Sequence, residues 1–283
     1  MKEALLDRAA QAIAGAHALL IGAGAGMGVD SGLPDFRGTK GFWHAYPPFE
    51  KLGLEFAALA NPLWFHRDPA LAWGFYGHRR NLYRATLPHD GYQILRKWSE
   101  RLPHGCFVFT SNVDEHFQKA GFPPERIWEV HGSIEWLQCI RQCGQKIFPA
   151  GPESIAVDEA TIRAAEPFPT CLACGKLARP NILMFDDWHW DEARAQHQQA
   201  ACEKWLAGAA GLVILECGAG QAIPTVRHFS ERVAEAAQAT LIRINLREPE
   251  VPAGQIGLAM GALEALHEID RRLPFPERGA QAP

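Results

Sequence analysis

The chain has 283 residues, 47% of them hydrophobic and 21% charged, and a formal net charge of −4. That length and apolar content support a large buried core and exclude a disordered chain, and the mildly negative balance offers nucleic acid no concentrated basic surface. Charge appears from Lys2 onward, too early for a secretory segment, and no apolar run approaches the roughly 20 residues that span a bilayer, so a cytoplasmic location without a membrane partner is expected.

Leu5, Leu6, Ala9 and Ile13 recur at helical spacing and predict a first helix from Lys2 to Ala14, leading into a strand from Ala18 to Ile21. The strand ends in Gly22, Gly24, Gly26 and Gly28, alternate glycines that let the backbone turn sharply and approach a ligand with no Cβ in the way. Strand, glycine turn and ligand loop open a doubly wound, Rossmann-like parallel sheet of the α/β class. The loop itself, Ser31 to Gly38, carries an acid, an aromatic ring and a guanidinium in Asp35, Phe36 and Arg37, and can fold over a bound dinucleotide. Residues 40–90 are rich in aromatics, among them Trp43, Tyr46, Phe49, Trp64, Phe65, Trp73, Phe75 and Tyr76. They read as a helical insertion over the cleft in which most rings pack a core.

A helix from Tyr92 to Arg101 precedes the β-rich run Cys106 to Thr110, which ends at Ser111-Asn112-Val113-Asp114. A short strand from Ile127 to Val130 stops at His131-Gly132-Ser133. Two more, Leu212 to Glu216 and Thr240 to Ile244, run into Cys217-Gly218-Ala219-Gly220 and Asn245. Ligands of open α/β sheets bind at the carboxyl ends of the strands, so one crevice can gather all five turns. Asn112, Asp114 and His131 would bring an amide, a carboxylate and an imidazole there, and histidine titrates near neutrality as a general base requires.

Residues 136–180 break this rhythm and read as an inserted module, flanked by a dinucleotide-binding domain of residues 1–135 and 181–275. Seven cysteines are present, four of them in two close pairs, Cys139-x3-Cys143 and Cys171-x2-Cys174. Such pairs in a reducing compartment favour metal over disulfides, and four thiolates suit tetrahedral Zn²⁺ in a structural role, with no coordination position left for water. The first pair has one residue more than the common spacing, and reduced, unliganded thiols are the alternative. Cys106, Cys202 and Cys217 read as buried apolar residues.

These residues resemble the sirtuin family. Its signature, Gly-Ala-Gly, four variable residues, Ser-Gly or Ala-Gly, an aliphatic residue and Pro-Asp-Phe-Arg-Gly, is met by Gly24-Ala25-Gly26 and Ser31 to Gly38. Asn-x-Asp at Asn112 and Asp114 and His-Gly at His131 match as well, and the likeness runs from about residue 18 to 266, with Arg179 to Phe185 similar to the strand before the family's peptide groove. The resemblance implies NAD-dependent protein-lysine deacylation. In that reaction an acyl-lysine carbonyl oxygen attacks the nicotinamide ribose C1′ of NAD, nicotinamide leaves, and a histidine deprotonates a ribose hydroxyl. The products are free lysine, nicotinamide and O-acyl-ADP-ribose.

By the same resemblance His131 is the base, and Asn112 and Asp114 position ribose and nicotinamide. Asp35, Phe36 and Arg37 close on the reactive ribose, and Gly24, Ala25, Gly26, Ser111, Gly218, Gly220 and Asn245 complete the cofactor site. The chain departs from the pattern at several positions. Ser111 replaces a glutamine, His116 falls one position before the usual histidine, Gly218-Ala219-Gly220 replaces Gly-Thr-Ser, and Phe185-Asp186-Asp187 replaces Phe-Gly-Glu. ADP-ribosyl transfer, NAD hydrolysis and a silent NAD sensor are the other readings of this constellation. Finally, Tyr76 and Arg79 stand at i and i+3 on a predicted helix, where phenol and guanidinium can converge on a carboxylate. This Tyr-x-x-Arg resembles the signature of the subclass that removes succinyl and malonyl groups; the alternative is a solvated helix face with Arg79 and Arg80 both in water.

Overall fold

The computed structural model describes residues 2–34, 46–51 and 53–274. The strands in chain order are β1 (Ala18–Ala23), β2 (Cys106–Thr110), β3 (Ile127–Glu129), β4 (Gly132–Cys139), β5 (Phe148–Pro149) and β6 (Val157–Asp158). They continue with β7 (Arg163–Ala164), β8 (Ala178–Ile182), β9 (Leu212–Cys217), β10 (Thr240–Ile244) and β11 (Ile256–Leu258). The longer helices are α1 (Lys2–Ala14), α2 (Pro69–Ala85), α3 (Asp90–Ser99), α4 (Ala193–Ala207), α5 (Thr225–Ala236) and α6 (Ala262–Asp270).

Six strands form a parallel sheet in the order β11-β10-β9-β1-β2-β3. Every residue of β1 and β9 is buried, which is why both read as unbroken apolar runs rather than alternating ones. Leu19, Ile21 and Ala23 face α1, α3 and α6 through Leu6, Ile13, Tyr92, Leu95 and Leu266. Ala18 and Leu20 face the opposite layer, where Cys202 and Trp205 of α4 and Val226 and Phe229 of α5 close the core. The chain leaves β1 toward β2 and β3 and later returns to β9 on its other edge, so the strand order reverses beside β1. That is where a doubly wound sheet opens its ligand crevice.

The doubly wound sheet and its strands stand where the sequence puts them. The helix expected over 92–101 begins two residues earlier, because His89 caps it: the ring Nδ1 accepts from Gly91 N at 3.0 Å. β11, short and interrupted by Gly257, has too little apolar run to be read from sequence.

A second core lies beside the sheet. α2 packs with β4, β8 and the β6–β7 hairpin around Trp73, Phe75, Tyr76, Ile134, Leu137, Ile155 and Ile162. Among the described residues most aromatics of the 40–90 stretch are core, as expected, with Trp73 donating its indole N–H to the Ala178 carbonyl at 3.1 Å. The cysteine-bearing segment is therefore no loop held by metal alone. Its Ile155 and Ile162 press on α2 at Gly77 and Gly74, and a Cβ on Gly74 would fall on the Ile162 carbonyl oxygen.

This close approach sets the sign of a substitution. Glycine inside a helix ordinarily costs about 1 kcal/mol against alanine, whereas forcing backbone apart in a packed region costs about 1–3 kcal/mol. Gly74→Ala should therefore destabilise the protein despite its better helix propensity, read as a lower denaturant midpoint at unchanged slope. A stabilised variant would show that the hairpin does not press on α2.

Candidate active site

Two turns interlock at the reversal point. Gly24 N donates to the Cys217 carbonyl at 3.0 Å and Gly26 N to the Gly218 carbonyl at 3.0 Å, joining the loop after β1 to the loop after β9. A Cβ on Gly24 would lie 2.7 Å from the Ala219 Cα, and Gly218 sits at φ +66° with its missing Cβ aimed at the Gly26–Met27 backbone. Both glycines are thus required by loop-on-loop packing. The N–H groups of Gly24, Gly26, Met27 and Gly28 all end on carbonyls within these turns, while Ala25 is exposed and Gly26 and Gly220 are half-buried.

The end of β2 is tied to the same turn. Thr110 Oγ1 donates to the Ala23 carbonyl at 3.0 Å and receives Asn112 N at 3.0 Å, and Asn112 Nδ2 donates to the Gly24 carbonyl at 3.0 Å. Asp114, buried, accepts His116 N at 3.0 Å and lies under Gly28. His131, at the turn between β3 and β4, faces Thr225 at the start of α5, with Nε2 and Oγ1 3.4 Å apart. Burial lowers the His131 pKa, and an interaction with the Ser111 backbone opposes this in part, so the ring is neutral at pH 7. Asn112, Asp114 and His131 thus lie beyond the carboxyl ends of the adjacent strands β2 and β3, with Asn112 and Asp114 against the glycine turn. Asp35, Phe36 and Arg37 fall outside the described residues.

Asn245 is placed differently from a simple ligand contact. Its Nδ2 donates to the Ala219 carbonyl at 2.7 Å while its Oδ1 accepts Arg247 N and Glu248 N at 3.0 and 3.1 Å, so the side chain laces the turn after β10 to the turn after β9. Asp30 does similar work: its Oδ2 accepts Leu263 N at 2.8 Å and caps α6, whose own N-cap residue, Gly261, has no side chain. His116 sits fully buried, edge-on to Tyr92, and burial holds its pKa down against the opposing pull of the Asp114 charge and the Thr86 backbone.

Tyr76 and Arg79 are both buried, and Arg80 with them, so neither arginine lies on a solvated face. Arg79 donates through Nε and Nη2 to Tyr83 Oη at 3.0 and 2.8 Å, and its guanidinium lies 5.2 to 5.9 Å from the ring centres of Phe75, Tyr83, Tyr76 and Phe56. Burial pulls the Arg79 pKa down, but Tyr83, Tyr76 and Tyr46 outweigh it and the group stays charged. Arg80 instead ties α2 to the module through Glu135 and the Gly151 and Glu153 carbonyls.

Cys139, Cys143, Cys171 and Cys174 place their sulfurs within 4.8 Å of one another, with Cys139–Cys174 at 3.7 Å and Cys143–Cys171 at 3.5 Å. A tetrahedron with Zn–S bonds near 2.3 Å has edges of about 3.8 Å, so the four fit zinc. The extra residue of the first pair is absorbed at Gln142, which takes a left-handed conformation at φ +49°. Cys106, Cys202 and Cys217 are buried, as read. Thr225 and Tyr83 were not singled out from sequence. The only signal for Thr225 is its place after Pro224, at the helix start that follows a strand-end glycine turn.

A Sir2 family profile matches residues 24–210. The chain belongs to the Sir2 family. Among curated sirtuins it is similar to an "NAD-dependent protein deacylase" of Aquifex aeolicus, 34% identical over 58% of this chain and 59% of that protein. It is also similar to "NAD-dependent protein deacylase 2" of Pyrobaculum aerophilum, 30% identical over 93% of this chain and 96% of that protein. The matched stretch thus spans about three fifths of the first of these relatives and nearly all of the second. A solved complex of a mutant Sir2 homologue with ADP ribose shares the fold at a TM-score of 0.69 and 26% identity, covering 94% of this chain and 95% of that one.

Structural zinc binds with an apparent free energy of about 10–16 kcal/mol, comparable to a whole domain's stability of about 5–15 kcal/mol, so its loss should unfold the module around it. Elemental analysis of protein purified without chelator should find one zinc per chain. Cys171→Ser should lose that metal and lower the melting temperature; metal-free wild-type protein would refute the assignment.

Proposed function

We propose that this chain is an NAD-dependent protein-lysine deacylase, using NAD and an acyl-lysine protein or peptide to give free lysine, nicotinamide and O-acyl-ADP-ribose. The observation that carries this reading is a neutral, half-buried His131 at the end of β3, its Nε2 facing Thr225, beside the β2 end where Asn112 and the Gly24 turn meet, within a Sir2 fold. Bound there, NAD would supply a C1′ with a cationic leaving group, which even a weak amide oxygen can attack. The chain's own part is to bind, orient and take one proton. His131 would accept that proton from a ribose hydroxyl at Nε2. Asn112, held by Gly24, and Asp114, held at the start of the 116–119 helix, would orient ribose and nicotinamide. Gly24, Ala25, Gly26, Ser111, Gly218, Gly220 and Asn245 would form or frame the cofactor site, with Asp35, Phe36 and Arg37 closing over it. A four-cysteine cluster arranged for metal rather than disulfides supports a cytoplasmic location. Among the described residues no helix is long and apolar enough to cross a membrane.

Incubation with NAD and an acyl-lysine peptide, with products identified by mass, tests the reading. O-acyl-ADP-ribose is the expected product; free or protein-linked ADP-ribose would make the enzyme a hydrolase or transferase, and no product would make it a sensor. His131→Ala should abolish deacylation while NAD affinity stays within about tenfold, because a general base lowers the barrier more than it aids ground-state binding.

We further propose that Tyr76 and Arg79 bind an acidic acyl group. Support comes from a charged guanidinium buried on α2 among aromatic rings and steadied by the Tyr83 hydroxyl. Succinyl-lysine should then be cleaved more efficiently than acetyl-lysine. Arg79→Met should erase that preference, a loss on the order of 2 kcal/mol or roughly thirtyfold in relative efficiency. An unchanged ratio would reject the acidic pocket.

A further inference from the structure

The partner of His131 in this chain is a side chain from the far side of the crevice. Thr225 opens α5, and its hydroxyl lies 3.4 Å from His131 Nε2, the nitrogen that the deacylase reading needs as a proton acceptor. The ring's other interaction is with the Ser111 backbone, on the end of β2. Among the described residues no acid or base pairs with the ring; burial lowers its pKa, the Ser111 backbone opposes this, and the Thr225 hydroxyl is the side-chain neighbour of Nε2.

Three features make Thr225 a fixed post rather than a passing neighbour. Val226 and Arg227 behind it are buried, and Arg227 donates to the Glu248 and Glu250 carbonyls at 2.9 and 3.1 Å. The turn that delivers it is locked at Gly218 against the glycine loop. The N-terminal end of a helix of 12 residues also carries a partial positive charge, which disfavours an imidazolium next to it.

We propose that Thr225 is a positioning residue for His131. Its hydroxyl donates to Nε2 in the resting protein and holds the ring in the tautomer whose proton is on Nδ1. Nε2 is thereby kept as an acceptor until a substrate hydroxyl takes the place of the threonine. No bond is made or broken in this exchange; one hydrogen-bond donor replaces another. The catalytic consequence rests on the deacylase reading, whereas the tautomer and the titration of His131 do not.

The sign of the effect follows from which form is stabilised. A donor to Nε2 favours neutral histidine, so removing it should raise the His131 pKa toward its ordinary value and move the acid limb of the rate profile to higher pH. The experiment is a ¹⁵N-histidine NMR titration of the zinc-loaded full chain, with the His131 signals assigned by their loss in His131→Ala. Wild-type protein should show Nε2 unprotonated above its titration. Thr225→Val should show mixed tautomers and a raised titration point, and Thr225→Ser should restore both. In the deacylase assay Thr225→Val should lose about twofold to tenfold in kcat with the KM for NAD unchanged, recovered by serine. Wild-type tautomer and titration in Thr225→Val, or a change in KM alone, would overturn the proposal. A restored tautomer in Thr225→Ser from a protein without deacylase activity would uphold the positioning role and refute the deacylase reading instead.

Discussion

The crevice exists because two turns, separated by some 190 residues of chain, touch backbone to backbone. Gly24 and Gly218 leave no room for side chains between the loop after β1 and the loop after β9, and their hydrogen bonds close the contact. Everything that could do chemistry is referred to that junction. Asn112 hangs from the Gly24 carbonyl, Asn245 from the Ala219 carbonyl, and Thr225 emerges from the locked turn to meet His131. Rigid positioning of this kind matters because a base that drifts by an ångström loses much of its advantage.

The second core sets what can lie in the crevice. α2 carries the aromatic and cationic residues, and the cysteine-bearing segment braces α2 from behind through Ile155, Ile162, Arg80 and Arg84 with Glu135. Metal site, brace and helix are successive layers of one body. A helix with two interior glycines and two buried arginines would be a poor helix on its own. Packing supplies what its propensity lacks.

Much of this was legible in the sequence because its signals are local. Apolar strands that stop at Asn112, His131 and Asn245 announce themselves, and paired cysteines carry their own spacing. What could not be read is which distant segments adjoin. The alternating glycines look like a ligand cradle from sequence, and only the proximity of Gly218 shows that Gly24 serves the joint between two loops. Asn245 reads as a contact, yet its amide is spent on Ala219, Arg247 and Glu248. A lone threonine after a proline gives no hint that it faces an imidazole contributed 94 positions earlier in the chain. Likewise Tyr83 is one turn beyond Arg79, but its partnership depends on the ring cluster that buries both.

The strand order also dictates how the molecule must be built. β1 lies at the centre of the sheet, pairing β2 on one edge and β9 on the other, and α1 packs near α6 at the opposite end of the chain. During synthesis β1 emerges before either of its partners, and its second edge stays open until residue 217 has left the ribosome. An apolar strand with an exposed edge is a template for wrong pairing, and contacts of such long sequence separation form slowly. The crevice is therefore not completed until β9 has been made, and a nascent or truncated chain ending before β9 would carry the apolar β1 with one edge unpaired.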